Sequence, residues 1–242
     1  MPLPKIDVPT YELKIPSSGK EITIRPFLVK EEKLLFIAAA SKDDNEIIKT
    51  TKQIINNCVV EGDVDVNTLP FFDIDYIFIA LRAKSIGEAI EVKFSCNNIT
   101  DDGITCDNKF STKIDISNCS IVKKEGISDD IVLSGSLKIK MKYPSYSMMK
   151  AIDENDLNLE KKIKIIAHSI DQILDKEKVY TNKDFTQEEL ITYIEGLTQE
   201  QFKKLEVFVD NFPTFVINAE AKCTRCGYDH NIKYNDFSSF FF

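Results

Sequence analysis

Long apolar runs are missing from this 242-residue chain. No stretch reaches the roughly 18 consecutive apolar residues that cross a bilayer as a helix, so membrane insertion is not expected. The opening Met1-Pro-Leu-Pro-Lys-Ile-Asp lacks the basic start and apolar stretch of a secretory signal. This predicts a protein that folds in a cytoplasm and leaves it only inside a particle. Arginine is scarce, at Arg25, Arg82 and Arg225 only, the net charge is −8, and no long basic block occurs. Binding nucleic acid through its phosphates needs clustered lysine and arginine, so a nucleic-acid partner is disfavoured. Histidine occurs twice, at His168 and His230, and no glycine-rich phosphate loop, H-E-x-x-H or G-x-S-x-G is present. The acidic pairs Asp43-Asp44, Asp101-Asp102 and Asp129-Asp130 fall in turn-like stretches and read as solvated loop carboxylates. No catalytic set emerges, and a non-enzymatic protein is expected.

What is present is an ordinary globular balance, 43% hydrophobic and 29% charged. Pro2, Pro4 and Pro9 predict an extended N-terminal arm. Tyr11, Leu13 and Ile15, then Ile22 and Ile24 after Pro16-Ser-Ser-Gly19, alternate as a β-hairpin does. Helices are expected over 30–41 and 45–59, the second burying Ile47, Ile48, Thr51, Ile54, Ile55 and Cys58. A third should run from an Asp73 cap towards Gly87, with Ile74, Ile77, Phe78 and Leu81 as its buried stripe. Ile90, Val92 and Phe94 alternate into Cys96, and Phe110, Thr112, Ile114 and Ile116 alternate after Cys106. Leu137, Ile139, Met141 and Tyr143 alternate with Lys138, Lys140 and Lys142, read as a solvated strand face guarded against edge pairing. Residues 158–211 read as helical, Leu159, Ile163, Ile166, Ile170 and Ile173 lining one face and His168 lying on the polar side. Thr186-x-x-Glu189 and Thr198-x-x-Gln201 match capping boxes, and Pro213 ends the last helix. Phe215, Ile217, Ala219 and Ala221 then form a strand into Cys223.

The cysteines carry the sharpest chemistry. They are Cys58, Cys96, Cys106, Cys119, Cys223 and Cys226. A chain that stays in a cytoplasm keeps its thiols reduced, which turns attention from disulfides to metal. Structural zinc takes four thiolate or imidazole ligands at tetrahedral corners and leaves no open position. Cys223-Thr-Arg-Cys226-Gly supplies two thiolates on a tight turn, and Cys96-x9-Cys106 supplies two more across a longer spacer rich in turn formers. Two strand–knuckle–strand units on one Zn2+ make a split zinc ribbon, so Cys96, Cys106, Cys223 and Cys226 are the expected ligands. Such a site has no place for water and cannot activate a nucleophile. A redox Cys-x-x-Cys is the chief competitor, but no thioredoxin-like βαβ pattern surrounds it. Cys119 and His230 are the reserve ligands if Cys96 or Cys106 does not reach the metal. The fold class expected is α+β, a split zinc-ribbon-like β unit with helical insertions. Its segments are 1–29 (arm and hairpin), 30–87 (helical), 88–143 (β region with the first knuckle), 144–213 (helical) and 214–242 (second knuckle and aromatic tail).

Several stretches resemble the baseplate hub and hub-assembly family of T-even-type contractile phages. They are Met1-Pro-Leu-Pro-Lys-Ile-Asp-Val-Pro-Thr-Tyr-Glu-Leu-Lys-Ile-Pro-Ser17, Ile24-Arg-Pro-Phe-Leu-Val-Lys-Glu-Glu-Lys-Leu-Leu35 and Lys52-Gln-Ile-Ile-Asn-Asn-Cys58. Leu197-Thr-Gln-Glu-Gln-Phe202, Phe212-Pro213 and the Cys-x-x-Cys-Gly knuckle before a phenylalanine-rich end add to it. The resemblance implies a structural hub component of the tail baseplate that binds other hub or tail proteins, made in the host cytoplasm and carried in the virion tail. A transient assembly chaperone absent from the virion is the alternative it leaves open. A zinc-ribbon nucleic-acid module is a second. Residues 1–9 and Phe240 to Phe242 are the expected contact elements, through an extended arm and large aromatic side chains.

Overall fold

The computed structural model of the protein describes residues 6–100, 102–145, 147–148, 158–176 and 178–235. Asp101, the arm before Ile6 and the aromatic tail from Asp236 onward lie outside the described residues. Among the described residues six α-helices and twelve strands form a mixed α/β fold with four small sheets. None of these helices is long and apolar enough to cross a membrane. The chain divides into two compact units. The first draws on Met1–Val66, Phe72–Val122 and Thr214–Phe242, and the second on Asn67–Phe71 and Lys123–Pro213.

Unit 1 opens with the expected hairpin, β1 (Tyr11–Lys14) and β2 (Glu21–Ile24), in the register Tyr11↔Ile24 to Lys14↔Glu21. Then come α1 (Val29–Ser41), α2 (Asp44–Cys58) and β3 (Val59–Glu61), the last pairing with β2. Asp43 caps α2 by accepting the backbone N–H of Asn45, so this carboxylate belongs to a helix start. Cys58 is a buried core residue, together with Ile54 and Ile55. At the start of α1 the wholly buried Glu31 accepts the N–H of Leu28 at 2.8 Å and pairs with the Arg25 guanidinium at 3.1 Å. Burial opposes ionisation there, but the bonds from Arg25 and Leu28 and the charges of Arg25 and Lys30 outweigh it and hold the carboxyl low.

Helix α3 (Phe71–Ser85) differs from expectation in two ways. Burial covers most of its circumference, including Phe72, Ile79 and Ala83 beside the expected stripe. Asp73 lies inside the first turn and does not cap it. Its buried carboxylate instead accepts from the backbone N–H and hydroxyl of Ser17, fastening the β1–β2 turn to the helix. A two-stranded ribbon follows, β4 (Ala89–Ser95) and β5 (Lys109–Asp115), and then a short 3-10 turn and β6 (Ser120–Val122).

Unit 2 is a four-stranded sheet with helices on one side. β7 (Asp130–Ser134) and β8 (Leu137–Met141) precede α4 (Asn158–Ser169), β9 (Ile170–Asp175) and β10 (Lys178–Thr181). Helices α5 (Gln187–Glu195) and α6 (Gln199–Val209) complete it. Both predicted capping boxes form, each threonine bonding the N–H three residues on and receiving the Glu189 or Gln201 side chain in return. Leu133, Ile139, Met141, Ile170 and Ile173 from the sheet meet Ile166, Leu190, Ile194, Leu205 and Phe208 from the helices in one core. Two readings need correction. Ile170–Asp175 and Lys178–Thr181 are strands, not helix. Strand order β10-β9-β8-β7 makes β8 interior, so its lysines do not guard an edge. Lys140 instead faces Asp130 across the ladder, and Lys142 pairs with Asp171 at 3.4 Å.

The chain returns to unit 1 as β11 (Thr214–Lys222), which pairs with β6 at its start and with β12 (Asp229–Tyr234) along its remainder. Phe215, Ile217, Ala219 and Ala221 are buried, as the alternation predicts, and lead directly into Cys223.

Candidate metal centre

The β4–β5 ribbon and the β11–β12 hairpin each end in a knuckle, and the two knuckles are built alike. In the second, Cys223 N–H donates to Tyr228 O at 2.8 Å and Gly227 N–H donates to Cys223 O at 3.0 Å. In the first, Cys96 N–H donates to Asn108 O at 2.9 Å and Asp107 N–H donates to Cys96 O at 3.0 Å. The residue after the second cysteine turns into the left-handed region in both, Gly227 at φ 72° and Asp107 at φ 49°. Glycine meets no steric penalty there, and aspartate is among the residues that tolerate it best. The first knuckle thus accepts a nine-residue spacer because residues 97–100 and 102–105 run back along each other as a small hairpin. Cys106 N–H reaches Asn98 O, Thr100 N–H reaches Ile104 O, and Ile99 bridges Thr105. The excursion closes on itself and returns the chain to a normal knuckle.

This brings together the four cysteines expected as ligands. The Sγ atoms of Cys96, Cys106, Cys223 and Cys226 all lie within 4.8 Å of one another. Cys96 and Cys226 are 3.6 Å apart and Cys106 and Cys223 are 3.9 Å apart. A tetrahedron with zinc–sulfur bonds of about 2.3 Å has sulfur–sulfur edges of about 3.8 Å, so the spacing fits a metal and is far too long for disulfides. Cys96, Cys106 and Cys223 are buried against Phe110, which limits access by water.

Around the sulfurs stands a shell of donors that sequence reasoning missed. Asn108 Nδ2 points at Cys223 Sγ at 3.5 Å, Asn98 Nδ2 at Cys226 Sγ at 3.7 Å, and Arg225 N at Cys223 Sγ at 3.4 Å. The Arg225 guanidinium donates to Cys106 O at 2.9 Å, tying one knuckle to the other. Four thiolates on a divalent cation leave a net negative charge, and N–H groups aimed at sulfur are what such a charge needs. Burial pushes Cys223 up, but the N–H groups of Cys226 and Arg225 and the Asn108 amide outweigh it and hold the thiol at about 6. Cys96, desolvated beside three other thiols, is pushed up to about 12. The one signal for this shell in the sequence was position: Asn108 follows Cys106 by the same step that separates Tyr228 from Cys226.

The reserve ligands fall elsewhere. His230, opposite Ala221 on β12, places Nε2 3.3 Å from Cys96 Sγ and stacks edge-on to Tyr228. It touches one sulfur and is not a member of the mutually close set. Cys119 sits beyond the 3-10 turn, where burial pushes its thiol up to about 11. Cys58, in the core, is likewise raised to about 11 by burial. Both are outside the cluster.

A family model described as T4 bacteriophage base plate protein matches residues 8–242. No curated protein and no solved structure matches the chain.

Proposed function

The chain belongs to the T4 bacteriophage base plate protein family, and from that membership we propose that it is a structural component of the baseplate hub. It acts by binding other tail proteins, without catalysis, and is braced by one structural zinc on Cys96, Cys106, Cys223 and Cys226. The observation that supports the metal is the convergence of four sulfurs, all within 4.8 Å of one another, from two knuckles 117 positions apart, measured from Cys106 to Cys223. The zinc would supply no reactive water. Its role is to hold the β4–β5 ribbon to the β11–β12 hairpin, which no disulfide does, since all six cysteines are free thiols. Residues 1–9 and the aromatic tail remain proposed contact elements.

Two measurements test this reading. Elemental analysis of protein purified without chelators should return about one zinc per chain, and the Cys223→Ser/Cys226→Ser double variant should return almost none. Metal-free wild type would overturn the site. Mass spectrometry of purified virions should find the protein in the baseplate. Its absence there, with presence during assembly, would make it a chaperone.

A further inference from the structure

Unit 2 contains a cavity of about 690 Å³, within the size range of ordinary ligand pockets. Its aromatic walls are Tyr180, Phe185 and Tyr193, and its rim carries Asp175, Asp184 and Glu189. No lysine or arginine is among the described residues that line it.

The three carboxylates are held in a particular way. Asp175 Oδ1 accepts from Ser136 Oγ at 3.2 Å. Asp184 Oδ2 accepts the N–H and hydroxyl of Thr181, and Glu189 Oε2 accepts those of Thr186. One oxygen of each is thereby fixed in place, while the other has no partner among the described residues. None of the three forms an ion pair among the described residues, although Lys178 and Lys183 lie close enough to favour the ionised form of Asp184. The Tyr193 hydroxyl is buried and has no hydrogen-bond partner among the described residues. Lys178 Nζ sits 4.4 Å from the Tyr180 ring centroid, so that ring's cation contact is made within the chain, and Phe185 and Tyr193 are the rings left without one among the described residues. Carboxylates fixed in the lining of a cavity beside aromatic rings are the chemistry that receives a cation with an apolar stem.

We propose that this cavity receives a lysine or arginine side chain, flanked by apolar residues, from a segment of another tail protein. The partner's identity as a tail protein rests on the baseplate reading above; the cation and its site rest on the cavity alone.

The test titrates the full-length protein with acetyl-Leu-Lys-Leu-amide and with acetyl-Leu-Gln-Leu-amide, following the aromatic ring signals by NMR. The lysine peptide should shift Tyr180, Phe185 and Tyr193 and bind roughly tenfold more tightly than the glutamine peptide. Asp175→Asn and Glu189→Gln should each weaken it roughly threefold, and the second keeps an acceptor for the Thr186 N–H. Equal binding of the two peptides, or shifts confined to other residues, would overturn the proposal. Spermidine binding more tightly than the lysine peptide would make this a polyamine site and overturn the protein partner. These readouts do not depend on where the protein resides. A silent titration with the protein present in virions defeats the cavity alone, and peptide binding with the protein absent from virions defeats the hub reading alone.

Discussion

His168 stands in the last turn of α4, where the negative end of the helix dipole would favour its charged form. The sequence placed it on a polar face, but the structure half-buries it and leaves its Nδ1 buried with no hydrogen-bond partner among the described residues. Burial is the larger reason its pKa falls below the ordinary value, and the nearby Lys142 adds repulsion. Lys142 is itself paired with Asp171, so the positive charge is held in place. The folded state therefore takes up the proton less readily than the unfolded chain, which protonates near pH 6.5. Stability is fully present above that value and falls as pH drops from about 6.5 through the lowered folded pKa. Melting curves should show His168→Leu reducing the loss of stability between pH 7.5 and 5.5. An unchanged pH dependence would show that the imidazole is solvated after all. Other single residues were more legible. Gly227 announces a left-handed turn after Cys226, whereas Asp107 in the same conformation does not, because aspartate is common in every kind of turn.

At the scale of elements, side-chain-to-backbone chemistry was the most readable signal. Thr198 and Gln201 form both halves of the expected capping box, with Thr198 Oγ1 accepting the Gln201 N–H at 3.3 Å and Gln201 Oε1 accepting the Thr198 N–H at 3.0 Å. Thr198→Ala should lower stability by about 1 kcal/mol, measured by denaturant unfolding, and Thr198→Ser by much less. Equal losses would assign the effect to the threonine methyl. Where the reading failed, the cause is specific. Ile163, Ile166, Ile170 and Ile173 keep a helical spacing straight across the junction of α4 and β9. In an unbroken strand, buried positions three apart would face opposite sides of the sheet. The register here pairs Met141 with Ile170 and Lys140 with Gln172, so Asp171 is an extra residue. That bulge puts Ile170 and Ile173 into the same core and copies the helical period. The signal that could have exposed the strands lay just beyond, in the β-favouring Val179-Tyr180-Thr181.

At the scale of the whole chain, the gathering of Cys96, Cys106, Cys223 and Cys226 was legible because cysteine spacing survives any insertion, while the insertion itself was not. Unit 1 is interrupted between Val122 and Thr214, and these two residues are direct Cα partners in the β6–β11 ladder. An antiparallel pair of this kind can be closed by a two-residue turn such as Asn-Gly. Replacing residues 123–213 with that turn should leave the β6–β11 ladder, the buried Ile15, Ile24, Ile54, Ile77 and Leu81, and all four clustered cysteines in place. The loop between Cys106 and Cys223 would shrink from 117 positions to roughly 28, which lowers the entropic cost of joining the two knuckles by about 1 kcal/mol. The shortened protein should therefore melt cooperatively and hold zinc at least as tightly as the full chain in a chelator competition. Weaker zinc binding by a soluble, folded deletion would mean that the intervening unit helps to form the metal centre and is more than an insertion into it.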